Sequence, residues 1–357
     1  VLALRLVRGS RPLVQLRRLL VAAASAGSGF LLLHVLAGAL DDPAGSFPRL
    51  LWALVPLALT VQLAVAVART DPATRPPEGL DAAGLGPLRR ALVAAVSTAV
   101  SCTLGSLLAL AVFLHLRGQL TGLPFDGAGT RLLHADRPLP VAAALTLLAV
   151  LPLTASAGAA LASRVRPPRT PQADLPWGVA LTACGLAVEA YAGRGTAGML
   201  AGWSLTALGL ALAGPAVVHL AGALVQTARP GVLRLLAGRG LQEEAGRLGR
   251  ALGVLCAVAA GALAVPALRE QGGLGAPLGP LTAPAAALVL LCAAATLLTT
   301  AVEARQARAG AREALLGLGT PGRVLRTAAA LRAGAVLVVS VPLAWAVAQL
   351  TYLALTR

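Results

Sequence analysis

Residues 312–326, REALLGLGTPGRVLR, separate two apolar runs of membrane length, 282–302 and 333–355. The stretch is basic, carries a glycine on each side of Leu318, and holds Pro321. A break of this kind between two runs of roughly 20 apolar residues marks a turn outside a bilayer, because ~30 Å of hydrocarbon takes about 20 helical residues to cross. Ala, Leu, Arg and Glu are good helix formers, so Glu303 to Leu318 is predicted helical. Ala307, Ala311, Ala314, Leu315 and Leu318 recur at helical spacing, with Arg305, Arg308 and Arg312 on another face. Gly319 is placed to end that helix in the left-handed conformation, and Pro321 confirms the stop. From Gly322 a second helix leads into the membrane. The segment therefore reads as a stiff elbow with a greasy and a basic face.

Working outward, the same alternation fills the chain of 357 residues, of which 57% are apolar and only 12% charged. That balance excludes an ordinary soluble globular protein and points to a polytopic membrane protein. Nine candidate membrane helices lie near 19–40, 50–68, 91–115, 140–163, 177–193, 197–226, 250–268, 282–302 and 333–355. The fifth is the weakest, being short and carrying Glu189. The first run is long and has no evident small-residue cleavage site, so it is expected to stay as an anchor.

All 30 basic residues are arginine. With the N-terminus placed in the cytoplasm, 23 of them fall in the segments 1–18, 69–90, 164–176, 227–250 and 303–332 on that side. This asymmetry orients the chain by the positive-inside rule. The net charge of +16 is spread through short segments beside membrane helices without aromatic interleaving, which favours anionic lipid headgroups over nucleic acid as the partner. Proline-rich loops such as TRPPEGL (74–80) and RVRPPRTP (164–171) cannot be helical throughout.

A weak internal repeat runs through the sequence. Gly84, Leu85 and Gly86 fall on Gly317, Leu318 and Gly319 at an offset of 233, and LRLVRGS (4–10) aligns with LRLLAGR (233–239) at an offset of 229. Both matches lie in cytoplasmic segments with the same order of helices around them. Parallel repeats of this kind recur in transporters.

With no lysine there is no P-loop lysine, and no HExxH or paired Cys/His cluster occurs, so no catalytic residue, cofactor or metal is expected in this chain. Cys102, Cys184, Cys256 and Cys292 each sit in an apolar run and read as small buried residues. His34, His115, His134 and His219 are scattered. Glu189 is the one acid inside a membrane run, where a central charge costs about 2.5–3.5 kcal/mol. Two readings stay open: a functional carboxylate, or an interfacial one that snorkels beside Tyr191 or pairs with Arg194.

The stretch from Glu303 to Ala346 resembles the C-terminal part of the FtsX-like permease family of ABC transporters. The resemblance is carried by Glu303, Arg305, Arg308, Arg312, Glu313, Leu316, Leu318, Gly319, Val324 and Arg326. Residues 233–263 are similar to the basic helix that leads into that family's membrane module, and 4–33 looks like a second copy. The resemblance implies an all-α membrane protein with a first module at 1–163, a linking helix pair at 164–226, and a second module at 227–357 that lacks its last helix. It implies a permease subunit, not itself an enzyme, docked on a separate cytoplasmic ABC ATPase, in a homo- or hetero-dimer of permeases at the cell membrane. The cargo would be a lipid, lipopeptide or peptide.

The ATPase-coupling elbow would comprise Arg305, Arg308, Arg312, Glu313, Leu316, Leu318, Gly319, Arg323 and Arg326. Its counterpart in the first half would be Arg75, Gly84, Leu85, Gly86, Arg89 and Arg90. The chain departs from the larger family members in having no room for a big extracytoplasmic domain. An ion-coupled secondary transporter using Glu189, and a membrane scaffold without transport, are the other expectations. The elbow's residues, read alone, also fit an amphipathic helix lying on lipid phosphates.

Overall fold

Ten helices make up the computed structural model, which describes residues 12–43, 46–70, 87–120, 124, 127–162, 173–192, 195–227, 231–270 and 279–356. They are α1 (Pro12–Asp41), α2 (Ser46–Thr70), α3 (Pro87–Leu116), α4 (Val141–Ala162), α5 (Leu175–Ala192), α6 (Thr196–Thr227), α7 (Val232–Glu270), α8 (Thr282–Ala307), α9 (Ala309–Gly317) and α10 (Gly322–Thr356). No strand occurs among the described residues. Eight of the helices are long and apolar enough to cross a membrane, and Leu175–Tyr191 is a shorter apolar one. The protein is an all-α, multi-pass membrane protein. The short fifth run is the one that the sequence marks as weakest.

Packing divides the chain into two units, Val1–Arg166 with Ala276–Thr299, and Pro167–Gly275 with Thr300–Arg357. By contact, the helix pair α5–α6 sits in the second unit with α7 and α10. Most of α8 belongs to the first unit. Sequence repeat and packing thus divide the chain along different lines, one by similarity and one by contact.

In the first unit small residues let helix backbones meet. A Cβ added at Gly105 of α3 would collide with the Ala22 carbonyl and the Ser25 side chain of α1. At that approach Ser25 Oγ donates to the Cys102 carbonyl at 2.8 Å. Ser28 and Thr60 share a hydrogen bond of 2.7 Å between α1 and α2, and Thr60 lies 3.8 Å from Cys292 Sγ on α8. Buried hydroxyls of this kind hold helices together where lipid offers no hydrophobic driving force between them.

At one end of this unit the loop after α3 is tied down by Arg117, which is 3% exposed. Its guanidinium donates to the carbonyls of His134 (2.9 Å) and Arg137. Burial pulls it below the usual arginine range. Asp41 at the end of α1 pairs with His134 and, at 3.1 Å, with Arg137. The His34 ring lies tilted with its centroid 6.4 Å from that of His134, so two histidines far apart in sequence come near each other here. Replacing Arg117 with Met leaves those carbonyls without their donors and is expected to cost about 2 kcal/mol. Faster protease cleavage within 117–140 would report it, and an unchanged rate would count against this tie.

The second unit is built on glycine contacts between α5, α6 and α7. Added Cβ atoms at Gly185 and Gly202 would strike the facing helix backbone, as would those at Gly214, Gly249 and Gly253. Helix α7 is continuous for 39 residues, about 58 Å at 1.5 Å per residue. The sequence separates a basic segment, 227–250, from a membrane run starting at 250. The fold joins them, because Leu, Ala, Arg, Gln and Glu propagate a helix and no proline intervenes before Pro266. Leu210, Ala257, Ala260, Val347 and Ala348 form the apolar core between α6, α7 and α10.

Of the cysteines, Cys102, Cys256 and Cys292 are buried and free, as expected. Cys184 is exposed on α5, a correction to its reading as a buried residue. Helical periodicity within an all-apolar run carries no phase, so the sequence does not say which face meets lipid.

Candidate functional site

The elbow is a helix, a left-handed cap and a second helix. α9 ends at Leu318, and Gly319 has φ +84°. The Gly319 N–H bonds to the Leu316 carbonyl at 3.0 Å, and the Thr320 N–H to the Leu315 carbonyl at 3.1 Å. These two bonds are the paired closure of a Schellman cap. Pro321 follows, and α10 starts at Gly322. The helix expected over Glu303 to Leu318 is interrupted at Arg308, which separates α8 from α9 at φ −95°, ψ 2°.

That interruption turns Arg308 inward. Its guanidinium forms an ion pair with Glu244 of α7, a carboxylate only 6% exposed. Gly240, one turn before Glu244, faces the guanidinia of Arg308 and Arg332, so these two residues of α7 form a seat for both arginines. Glu243 adds its charge beside Arg332. The seat clamps the start of the elbow, and Arg332 of α10, to the N-terminal half of α7.

The rest of the elbow faces outward. α9 buries none of its residues. Arg305, Arg312, Glu313, Leu316, Gly319, Arg323 and Arg326 are exposed, and Leu318 stands 83% exposed at the tip. Eight of the nine residues that the sequence groups as the elbow are thus exposed, and the ninth, Arg308, pairs with Glu244. Of the first-half counterpart, Arg75, Gly84, Leu85 and Gly86 lie outside the described residues. Arg89 and Arg90 fall in the first turn of α3, and their side chains lie outside the description.

Sequence reasoning missed Glu244 and Gly240. A signal was there, because Gln242, Glu243 and Glu244 interrupt an otherwise basic helix. Acids within a basic segment point to an internal partner.

Glu189 departs from its interfacial reading. It is 0% exposed on α5, whereas Tyr191 is almost fully exposed and turned away. Thr206 of α6 donates to Glu189 Oε1 at 3.5 Å, and Thr351 of α10 faces the carboxyl. Arg194 lies outside the described residues. No metal-holding group of His, Cys, Asp and Glu occurs among the described residues.

No protein-family model, curated protein or solved structure matches this chain. What can be said of its function rests on the fold and these two sites.

Proposed function

We propose that this chain is the permease subunit of an ABC transporter of the FtsX-like type. It couples ATP hydrolysis in a separate ATPase to movement of a lipid, lipopeptide or peptide at the cell membrane. The N-terminus and the elbow lie on the cytoplasmic side, where 23 of the 30 arginines gather. The observation that carries the reading is the elbow itself. It is a capped helix that buries none of its residues, pinned by Arg308 to α7 and leading into the membrane helix α10.

A force applied at Leu318 and its neighbouring arginines reaches α10 through a single glycine cap. An exposed leucine in a segment that also exposes Arg312, Arg323 and Arg326 suits an ATPase surface with an apolar slot and an acidic rim.

The test is copurification of the full chain with an ATPase from its native membrane, followed by ATPase assay of the pair in liposomes. Leu318→Asp is expected to weaken the pair by about 2 kcal/mol, roughly thirtyfold, as loss of an interface anchor does. Gly319→Val forces a β-branched residue into the left-handed region at a cost of about 1–2 kcal/mol, and reduces the stimulated ATPase rate. Gly310→Ala, at an open position without positive φ, leaves that rate unchanged. Absence of any ATPase, or full stimulation in both elbow variants, rejects the proposal.

A further inference from the structure

We infer that Glu189, Thr206 and Thr351 form a proton-binding site inside the second unit, with Glu189 as the acceptor. This site is independent of the elbow and of the docking reading.

Three helices converge on the carboxyl. The glycines of α5 and α6 make the slot in which it lies. A Cβ at Gly202 would meet Glu189 Cγ at 2.5 Å and its backbone N at 2.9 Å, and a Cβ at Gly185 would strike the Thr206 hydroxyl. Within this slot Glu189, Thr206 and Thr351 are all buried. Glu189 Oε2 and Thr351 Oγ1 each lack a hydrogen-bond partner.

Charge decides what the site takes. The titratable or charged residues of the surrounding helices are Cys184 and Tyr191 on α5, His219 on α6, and Arg323, Arg326, Arg332 and Tyr352 on α10. Helix α7, packed on α6 and α10, adds Arg234, Arg239, Glu243, Glu244, Arg247, Arg250, Cys256, Arg269 and Glu270. Tyr191 points outward. His219 is 13 residues beyond Thr206, about 20 Å along the helix. Arg332 is 19 residues before Thr351, about 28 Å away on its helix. Tyr352 follows Thr351 and so points about 100° away from it. Of the ionised residues of α7, Glu244, Arg247 and Arg250 lie toward the end that holds the Arg308 clamp, and the side chains of Arg269 and Glu270, at its other end, lie outside the description. The groups that face the carboxyl from α6 and α10 are hydroxyls.

A buried carboxylate whose partners among the described residues are neutral takes up a cation or a proton. A proton also suits the one oxygen that is left over: Thr206 donates to Oε1, and Oε2, buried without a hydrogen-bond partner, is the oxygen that carries the proton.

The experiment treats the purified full-length chain in detergent with dicyclohexylcarbodiimide, an apolar reagent for protonated carboxyls, and maps the adduct by peptide mass spectrometry. Glu189 is expected to be labelled at neutral pH, with labelling falling as the pH is raised and absent in Glu189→Gln. Infrared spectroscopy of the same sample is expected to show a neutral-acid carbonyl band. Glu189→Gln removes the band, and Thr351→Val moves it, because a hydroxyl that faces the carboxyl is replaced by a methyl. Protection of Glu189 by sodium against choline at constant pH overturns the assignment in favour of a sodium site. Labelling that appears only in Arg194→Gln overturns it in favour of an ion pair. A band unmoved by Thr351→Val removes Thr351 from the site.

Discussion

Gly249→Ala is expected to unfold the second unit, while Gly246→Ala, less than one turn away on the same helix, strengthens it. Gly249 is buried against α6, where an added methyl would overlap the backbone of Pro215 and come within 2.6 Å of the Gly214 carbonyl carbon. Backbone atoms cannot rotate aside as a side chain can, so α6 and α7 must separate. Overpacking of this kind costs about 3 kcal/mol, and the separation spreads to Gly214 and Gly253, which interlock with the same stretch. Gly246 has nothing within 4 Å, so alanine there only removes glycine's helix penalty and gains about 1 kcal/mol. Thermal unfolding in detergent, followed by size-exclusion recovery, should move in opposite directions for the two variants. Equal shifts would mean that α6 and α7 do not meet through their glycines.

Glu244→Ala is expected to be nearly as severe. It leaves the Arg308 guanidinium against α7 without its partner, and removing one member of a buried pair costs about 3 kcal/mol. The double variant Glu244→Leu with Arg308→Met should recover most of that loss, because the desolvation of both charges disappears together. Gly240→Ala is milder. The added methyl meets the ends of Arg308 and Arg332, which can swing aside. Protease cleavage between α8 and α10 reads the release of the elbow directly. A double variant no more resistant than the single one would show that the pair is not the clamp.

The elbow was legible because its signals are local. A left-handed glycine followed two residues later by proline ends a helix whatever surrounds it, and the two cap bonds run between residues three and five apart. The clamp was not legible, since Arg308 and Glu244 are 64 positions apart and the arginine sits in a helix-compatible run that gives no sign of its break. Glu189 shows the same division. Its presence in an apolar run is plain from sequence, but its nearest sequence neighbours, Tyr191 and Arg194, suggested an interfacial role. The residues that face it, Thr206 and Thr351, come from other helices. The meeting of His34 with His134 was equally hidden.

The sequence by itself determined that the protein is helical and crosses a membrane several times, and where one capped elbow interrupts it. Those properties follow from apolar run length and from glycine and proline conformation, which are set residue by residue. Only the tertiary structure decided which arginine is clamped and which are presented, which cysteine faces outward, and that Glu189 is buried beside the Thr206 hydroxyl. In runs that are apolar all round, no periodicity marks the inward face. There the face is chosen by which glycines allow two backbones to touch, and that is a property of pairs of helices.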